Sequence, residues 1–130
     1  MKKILFVCIE NSNRSQMAEA FAKIHSKGKV EAYSSGSRPS GIINPKAIAA
    51  MQELGYDLTT HKSKSLDEIP QIIYDYAVTM GCGDECPLVK TKYREDWKLD
   101  DPKNLDPKEF NKVRDEIELR VEKLINDICE

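Results

Sequence analysis

The chain has 130 residues, 40% of them hydrophobic and 32% charged, with a formal net charge of -2. That length suffices for one domain around one core, spanning residues 1–130, and the balanced charge gives no general attraction to nucleic acid or to an acidic membrane. The longest apolar runs, such as Ile4 to Ile9, are too short to cross a bilayer. Glu10 and Asn11 follow Met1-Lys2-Lys3 too soon for a secretory leader, so a cytoplasmic protein is expected.

Residues 3–8 read as a buried strand that breaks into a polar loop. From Arg14 to about Ser26 a helix follows, with Met17, Phe21 and Ile24, together with Ala18 and Ala22, facing the core. Lys27-Gly28-Lys29 is a turn, and Val30 to Ser34 alternates like a strand before Ser35-Gly36. Residues 37–43 contain Pro39 and Gly41 and form a loop. Asn44 caps a second helix with Pro45 in its first position; Ala47, Ile48, Met51 and Leu54 are its buried stripe, and Gly55 closes it. Residues 56–65 are polar and irregular, and 66–70 allow one helical turn. Residues 74–80 form a third strand, and a short fourth runs from about Tyr93 to Asp96. Asp106-Pro107-Lys108-Glu109 is another helix start, and Phe110, Val113, Ile117, Val121, Leu124, Ile125 and Ile128 hold one face of a long final helix. This alternation predicts an α/β fold, a parallel sheet with helices on both faces, whose ligands bind beyond the carboxyl ends of the strands. Cys8 and Cys82 both fall at or just past strand ends, so they are expected on one rim.

The chemistry concentrates where the first strand meets the first helix. A loop opening a helix leaves backbone N–H groups without intrahelical partners, and the helix dipole adds positive character. With the guanidinium of Arg14 these donors make a bowl for a tetrahedral oxyanion. A thiol at its base, Cys8, is favoured as the thiolate nucleophile. The plainer reading is an inert buried cysteine followed by a surface arginine.

The pattern Cys8-x5-Arg14-Ser15 resembles the low-molecular-weight tyrosine phosphatase superfamily, and Asn11-Ser12-Asn13-Arg14-Ser15-Gln16-Met17-Ala18-Glu19 looks like its arsenate reductase branch. The resemblance runs from the first strand to the final helix. It implies a three-layer fold on a four-stranded sheet, no cofactor, and a substrate-binding loop of Glu10, Asn11, Ser12, Asn13 and Arg14. It also implies a general acid in an Asp-Pro pair, matched by Asp101-Pro102. Asp100 and Asp101 read without it are as well described as turn carboxylates. Ser15 would donate its hydroxyl to the thiolate, and Asn11 would fix the loop. Glu19 and Ser34 match positions that help bind potassium in some relatives; the next ligand there is an Asp, replaced here by Lys64. A lysine ammonium in place of the cation predicts no potassium requirement, whereas a solvated Lys64 is the duller alternative.

The four cysteines, Cys8, Cys82, Cys86 and Cys129, suit catalytic or redox use better than a disulfide framework in a chain of this kind. The resemblance implies a relay in which Cys82 and Cys86 become a redox-active disulfide reduced by thioredoxin. Here the pair is closer together than the family pattern, and Cys82 falls one place later. Asn13 stands where many loops of this type carry a second cysteine, which leaves Cys82 as the resolving thiol. Zinc is a competing use of the pair, but a second pair of ligands is lacking, and neither His25 nor His61 has ligand spacing. His25 reads as structural, His61 as a loop residue and Cys129 as incidental.

Arsenate, with phosphate or sulfate as analogues, is the expected substrate. The first alternative is a phosphatase in which Cys8 takes a phosphoryl group and Asp101 then activates water, with Trp97 and Tyr93 either lining an aromatic cleft or packing on the final helix. The second is a non-enzymatic oxyanion or thiol sensor, which leaves Asp101 without a role. Glutaredoxin could replace thioredoxin as reductant.

Overall fold

The computed structural model describes residues 1–81 and 89–128. In chain order the elements are β1 (Lys2–Cys8), α1 (Arg14–Ser26), β2 (Val30–Gly36), α2 (Pro45–Gln52), β3 (Tyr74–Thr79), β4 (Thr91–Asp96) and α3 (Pro107–Ile128). Single 3-10 turns lie at Leu58–Thr60, Leu66–Glu68 and Pro102–Asn104. The strands form one parallel sheet in the order β2-β1-β3-β4. Among the described residues no helix is long and apolar enough to cross a membrane.

β1 is central, and from Ile4 onward it is apolar and buried because both its faces are covered. Ile4 and Phe6 point toward Met17 and Phe21 of α1, Ala47 and Met51 of α2, and Phe110, Ile117 and Val121 of α3. Leu5 and Val7 point the other way, where Ile69, Tyr74 and the flanking Leu66, Tyr33 and Val89 close over them. The three α-helices therefore contribute to one face. The described cover of the other is the chain around the 3-10 turn at Leu66–Glu68, and residues 82–88, between β3 and β4, lie outside the described residues.

The helix starts follow their local chemistry. The Asn44 side chain accepts from the Lys46 amide at 2.9 Å, and Pro45, lacking an N–H, occupies the first helical position. α2 stops at Gln52, before the expected stripe is complete, so Leu54 is exposed rather than buried. Ile24 also departs from expectation: at the far end of α1 it lies on the edge of the apolar face and is exposed. Arg114, amid the apolar face of α3, is buried because its Nη1 donates to the Ala50 carbonyl at 2.9 Å and to Glu53 at 2.8 Å, which ties α3 to α2.

The parallel register sets Cys8 opposite Gly36 at the carboxyl ends of β1 and β2. Gly36 has no room for a side chain. A Cβ there would lie 2.5 Å from the Ile9 carbonyl oxygen and 2.9 Å from the Asn11 nitrogen. The loop after β1 can fold tightly over the sheet edge only because this position is glycine.

Candidate active site

Residues 9–13 connect β1 to α1, and their carbonyls are turned outward onto protein donors. Cys8 O accepts from Ser37 N at 3.2 Å and Ile9 O from Arg38 N at 2.9 Å. Glu10 O accepts from Ser40 N at 3.0 Å and from Ser63 Oγ at 3.0 Å, and Ser12 O accepts from Asn44 N at 3.2 Å. Because C=O and N–H of one trans peptide point in opposite directions, the amide hydrogens of these peptides face into the bowl. Cys8 sits at its base, buried and with a free thiol. Such a ring of donors at a helix start suits a tetrahedral oxyanion.

Below the bowl, the hydrogen bonds resolve into one direction. Gln16 Nε2 donates to Asn11 O (3.1 Å), Asn11 Oδ1 (2.8 Å) and Lys62 O (2.9 Å). Asn11 Oδ1 also accepts from Lys64 N at 2.7 Å, so its Nδ2 is the donor to Ser15 Oγ at 2.7 Å. Ser15 already accepts there, which leaves its proton for Cys8 Sγ at 2.8 Å. The sulfur is thus held against a hydroxyl donor whose own acceptor site is filled by Asn11. Asn11 pays for its place with φ at 51°, a left-handed conformation that asparagine tolerates and that its side-chain bonds hold.

The chain of bonds extends behind Gln16 to groups without a local sequence signal. Gln16 uses its amide hydrogens on acceptors, so its Oε1 accepts from His61 Nδ1 at 3.0 Å. His61 Nε2 then accepts from Tyr56 OH at 2.6 Å. His61 lies in a loop, at the end of the Leu58–Thr60 turn, as expected, but its side chain is turned inward and only 2% exposed. Burial pushes its pKa down, opposed by Glu19 and reinforced by Lys23 and Lys64, so the ring is neutral at neutral pH with the proton on Nδ1.

Glu19 lies in the same buried layer. Its Oε1 accepts from Ser34 Oγ at 2.6 Å and is 3.7 Å from Lys64 Nζ; its Oε2 is 2.6 Å from Lys23 Nζ and 3.6 Å from His61 Nδ1. Burial alone would raise the Glu19 pKa, but His61, Lys23, Ser34 and Lys64 together hold it below the usual carboxylate range. With His61 neutral, the two lysines supply the standing positive charge. Burial also lowers the Lys64 pKa, and Glu19 offsets part of that.

At the mouth, Arg14 Nη1 donates to the Leu99 carbonyl at 3.0 Å, and its Nη2 lies 3.9 Å from Asp101 Oδ2. Asp101 caps the 3-10 turn, accepting from Lys103 N at 3.1 Å, with about a third of its side chain exposed. Gly81, at φ 73°, passes close to this pair: a Cβ would meet Arg14 Nη1 and Leu99 O, each at 2.8 Å. Ile9, Glu10, Arg38, Asp101 and Lys103 line the opening, and Glu10 pairs with Lys103 at 3.4 Å. Trp97 is not among them; it is buried with its ring 6.1 Å from that of Phe6. Tyr93 of β4 stacks on Tyr76 of β3.

A thiol and an arginine joined by a strand–loop–helix at the sheet's carboxyl edge are the parts of a cysteine-dependent phosphoryl-type transfer site. Over residues 3–130 the sequence matches the family described as low molecular weight phosphotyrosine protein phosphatase. The chain belongs to that family. Within it, the protein is 40% identical over 131 residues to the glutaredoxin arsenate reductase of Synechocystis, covering 98% of this chain and 99% of the relative. It is 42% identical over 125 residues to arsenate reductase 1 of Staphylococcus epidermidis, covering 93% of both. Among solved structures it superposes on an arsenate reductase in the phosphate binding state with a TM-score of 0.89, at 40% identity and 98% and 99% coverage. A thioredoxin-dependent arsenate reductase of Corynebacterium glutamicum matches at 30% identity with a TM-score of 0.80, covering 98% of this chain and 62% of that one.

In this phosphatase-family site the structure brings together Cys8, Asn11, Arg14 and Ser15, with Asp101 beside Arg14. It also gathers Glu19, Ser34 and Lys64 under the loop. Ser12 and Asn13 are buried in the loop, and Glu10 turns to Lys103 at its rim. Cys82, Cys86 and Cys129 lie outside the described residues. Sequence reasoning missed Gln16, Tyr56 and His61, whose network spans more of the chain than any local signal reports. His25, Glu118 and Glu122 bring three metal-type donor atoms within 4.8 Å of one another. His25 Nε2 is already bonded to Glu118 at 2.8 Å, joining α1 to α3, and that contact accounts for the grouping.

Proposed function

We propose that this protein reduces arsenate to arsenite through Cys8 and a three-cysteine relay. The observation that carries the reading is the one-directional hydrogen-bond chain ending on Cys8 Sγ beneath a bowl of amide donors. Arsenate enters the bowl with Arg14 as its charged clamp. The Cys8 thiolate attacks arsenic, an As–O bond breaks, and Asp101 gives its proton to the departing oxygen, which leaves as water. Cys82 thiolate then attacks Cys8 Sγ; the S–As bond breaks, its electron pair stays on arsenic, and arsenite is released. Cys86 attacks Cys82, freeing Cys8 and leaving a Cys82–Cys86 disulfide, which a dithiol partner reduces. Thioredoxin is the proposed partner. Relatives bear both glutaredoxin and thioredoxin in their names, so the reductant is a point for experiment.

Phosphatase chemistry uses the same front half, and residual hydrolysis of phosphate monoesters is expected from it. The rim speaks against a phosphotyrosine substrate. Among the described residues it is lined by Ile9 and four charged side chains, with no aromatic wall for a ring. A small inorganic oxyanion needs none. Lys64 beside Glu19 supports a lysine ammonium in the place of a bound potassium ion.

The test couples arsenate-dependent NADPH oxidation to thioredoxin and thioredoxin reductase, with glutathione and glutaredoxin as a parallel arm. Cys82→Ser and Cys86→Ser should each abolish turnover while leaving aryl phosphate hydrolysis largely intact. Brisk hydrolysis indifferent to both changes, without arsenate turnover from either donor, would make the protein a phosphatase.

A further inference from the structure

We propose that Lys46 is a positioning residue for the proton donor. Its ammonium straps the turn carrying Asp101 to the start of α2 and thereby to the oxyanion loop. The inference rests on the reading of Asp101 as the acid.

Lys46 occupies the second position of α2, directly after Pro45. A cation in the first turn is electrostatically at the wrong end of a helix, because the dipole is positive there. Its placement is explained by what it reaches. Lys46 Nζ donates to the carbonyls of Lys103 and Leu105, each at 2.9 Å and nearly sixty residues away in sequence. Those carbonyls close the 3-10 turn Pro102–Asn104, where backbone acceptors run short of intrahelical donors. One ammonium therefore satisfies two of them with charge-assisted bonds.

The strap continues to the loop. Asn44, which caps α2 through the Lys46 amide, donates its own N–H to Ser12 O at 3.2 Å. The path Ser12–Asn44–Lys46–Leu105 thus fixes the Asp101 turn against the residues that surround the substrate. A second link, Lys103 Nζ to Glu10 Oε2 at 3.4 Å, joins two exposed side chains, and ion pairs of that kind hold weakly. Lys46 is itself exposed, so its loss should disturb geometry more than stability.

A proton donor matters most when the leaving oxygen is a poor leaving group, and this separates positioning of Asp101 from general damage. The kcat/KM of wild type, Lys46→Met, Lys46→Arg and Asp101→Asn is measured on aryl phosphates running from dinitrophenyl to phenyl, with arsenate turnover alongside. Lys46→Met should stay within about twofold of wild type on the activated ester and fall about tenfold on phenyl phosphate, a part of what a general acid supplies. Lys46→Arg should recover most of the loss, and arsenate kcat should fall in Lys46→Met with KM little changed. Equal losses across the series, no loss, or an arsenate effect confined to KM would overturn the strap. If Asp101→Asn is itself indifferent to the leaving group, the acid assignment falls instead. A steep Asp101→Asn series beside a flat Lys46→Met series would refute Lys46 alone.

Discussion

Replacing Ser15 with alanine would delete the last link of the chain that ends on Cys8. Ser15 is fully buried, and its Oγ stands 2.8 Å from the sulfur and 2.7 Å from Asn11 Nδ2. A hydrogen bond to a charged group contributes about 1.5–3 kcal/mol. At about 1.4 kcal/mol per factor of ten, its loss should slow attack by Cys8 about tenfold to a hundredfold. Asn11 Nδ2 would also lose its acceptor inside the protein, which adds to the cost and loosens the left-handed residue that shapes the loop. The assay is pre-steady-state release of nitrophenol from the aryl phosphate, read beside alkylation of Cys8 by iodoacetamide. Both rates should fall together, since both depend on the thiolate. Ser35→Ala is the control: that hydroxyl is buried with no hydrogen-bond partner among the described residues, so its removal should leave both rates unchanged. A Ser15→Ala protein within twofold of wild type would refute the directional chain and leave the backbone amides as the sole stabilisers of the nucleophile.

His61 and Glu19 both have pKa values lowered by the fold. As pH falls, the unfolded chain takes up protons before the folded one, so stability is complete above the ordinary histidine value of 6.5 and declines below it, first through His61 and then, below 4.5, through Glu19. Urea unfolding from pH 7.5 downward should show this, and His61→Gln should flatten the first segment. Gly81→Ala forces a side chain onto Arg14 Nη1 and Leu99 O in a left-handed backbone; kcat/KM for arsenate should fall at least about tenfold through the displaced guanidinium, and stability should fall by about 1–2 kcal/mol from the backbone strain. Exchanging potassium for sodium in the assay should leave wild-type turnover unchanged, because Lys64 already faces Glu19; a marked potassium activation would overturn that substitution. Phe110→Ala, at a side chain 1% exposed, should cost about 3–5 kcal/mol in urea unfolding.

The parts of the site that share one stretch of chain were legible in sequence. Cys8, Arg14 and Ser15 follow a buried strand and open a helix, and that context makes the spacing meaningful. Asn44-Pro45 and Asp106-Pro107 marked helix starts because capping acts within one turn. His61 and Tyr56 were not legible. The partners of His61 are Gln16 and Glu19, more than forty residues away, and Tyr56 joins them only through His61; no local period reports a contact across that distance. Leu54 and Ile24 were misjudged for a related reason: periodicity continues past the point where α2 ends, and beyond the edge where the neighbours of α1 stop covering it. The aromatic cleft was an open question that composition does not resolve; packing of Trp97 on Phe6 does.

Among the described residues the two clusters flanking β1 differ in size, which has a consequence for how the molecule breathes. Ile4 and Phe6 share their cluster with three α-helices, whereas among the described residues Leu5 and Val7 cluster with Ile69 and Tyr74, flanked by Tyr33, Leu66 and Val89. Opening the first side means dismantling most of the buried apolar surface and is tantamount to global unfolding. Leu66–Glu68 is a single 3-10 turn with no buried residue, so amides near Leu66 should exchange with solvent by local fluctuations while those of α1 wait for the whole protein. Cys8 ends the strand that runs between the two clusters, so local opening around Leu66 would leave the anchorage of its sulfur in place.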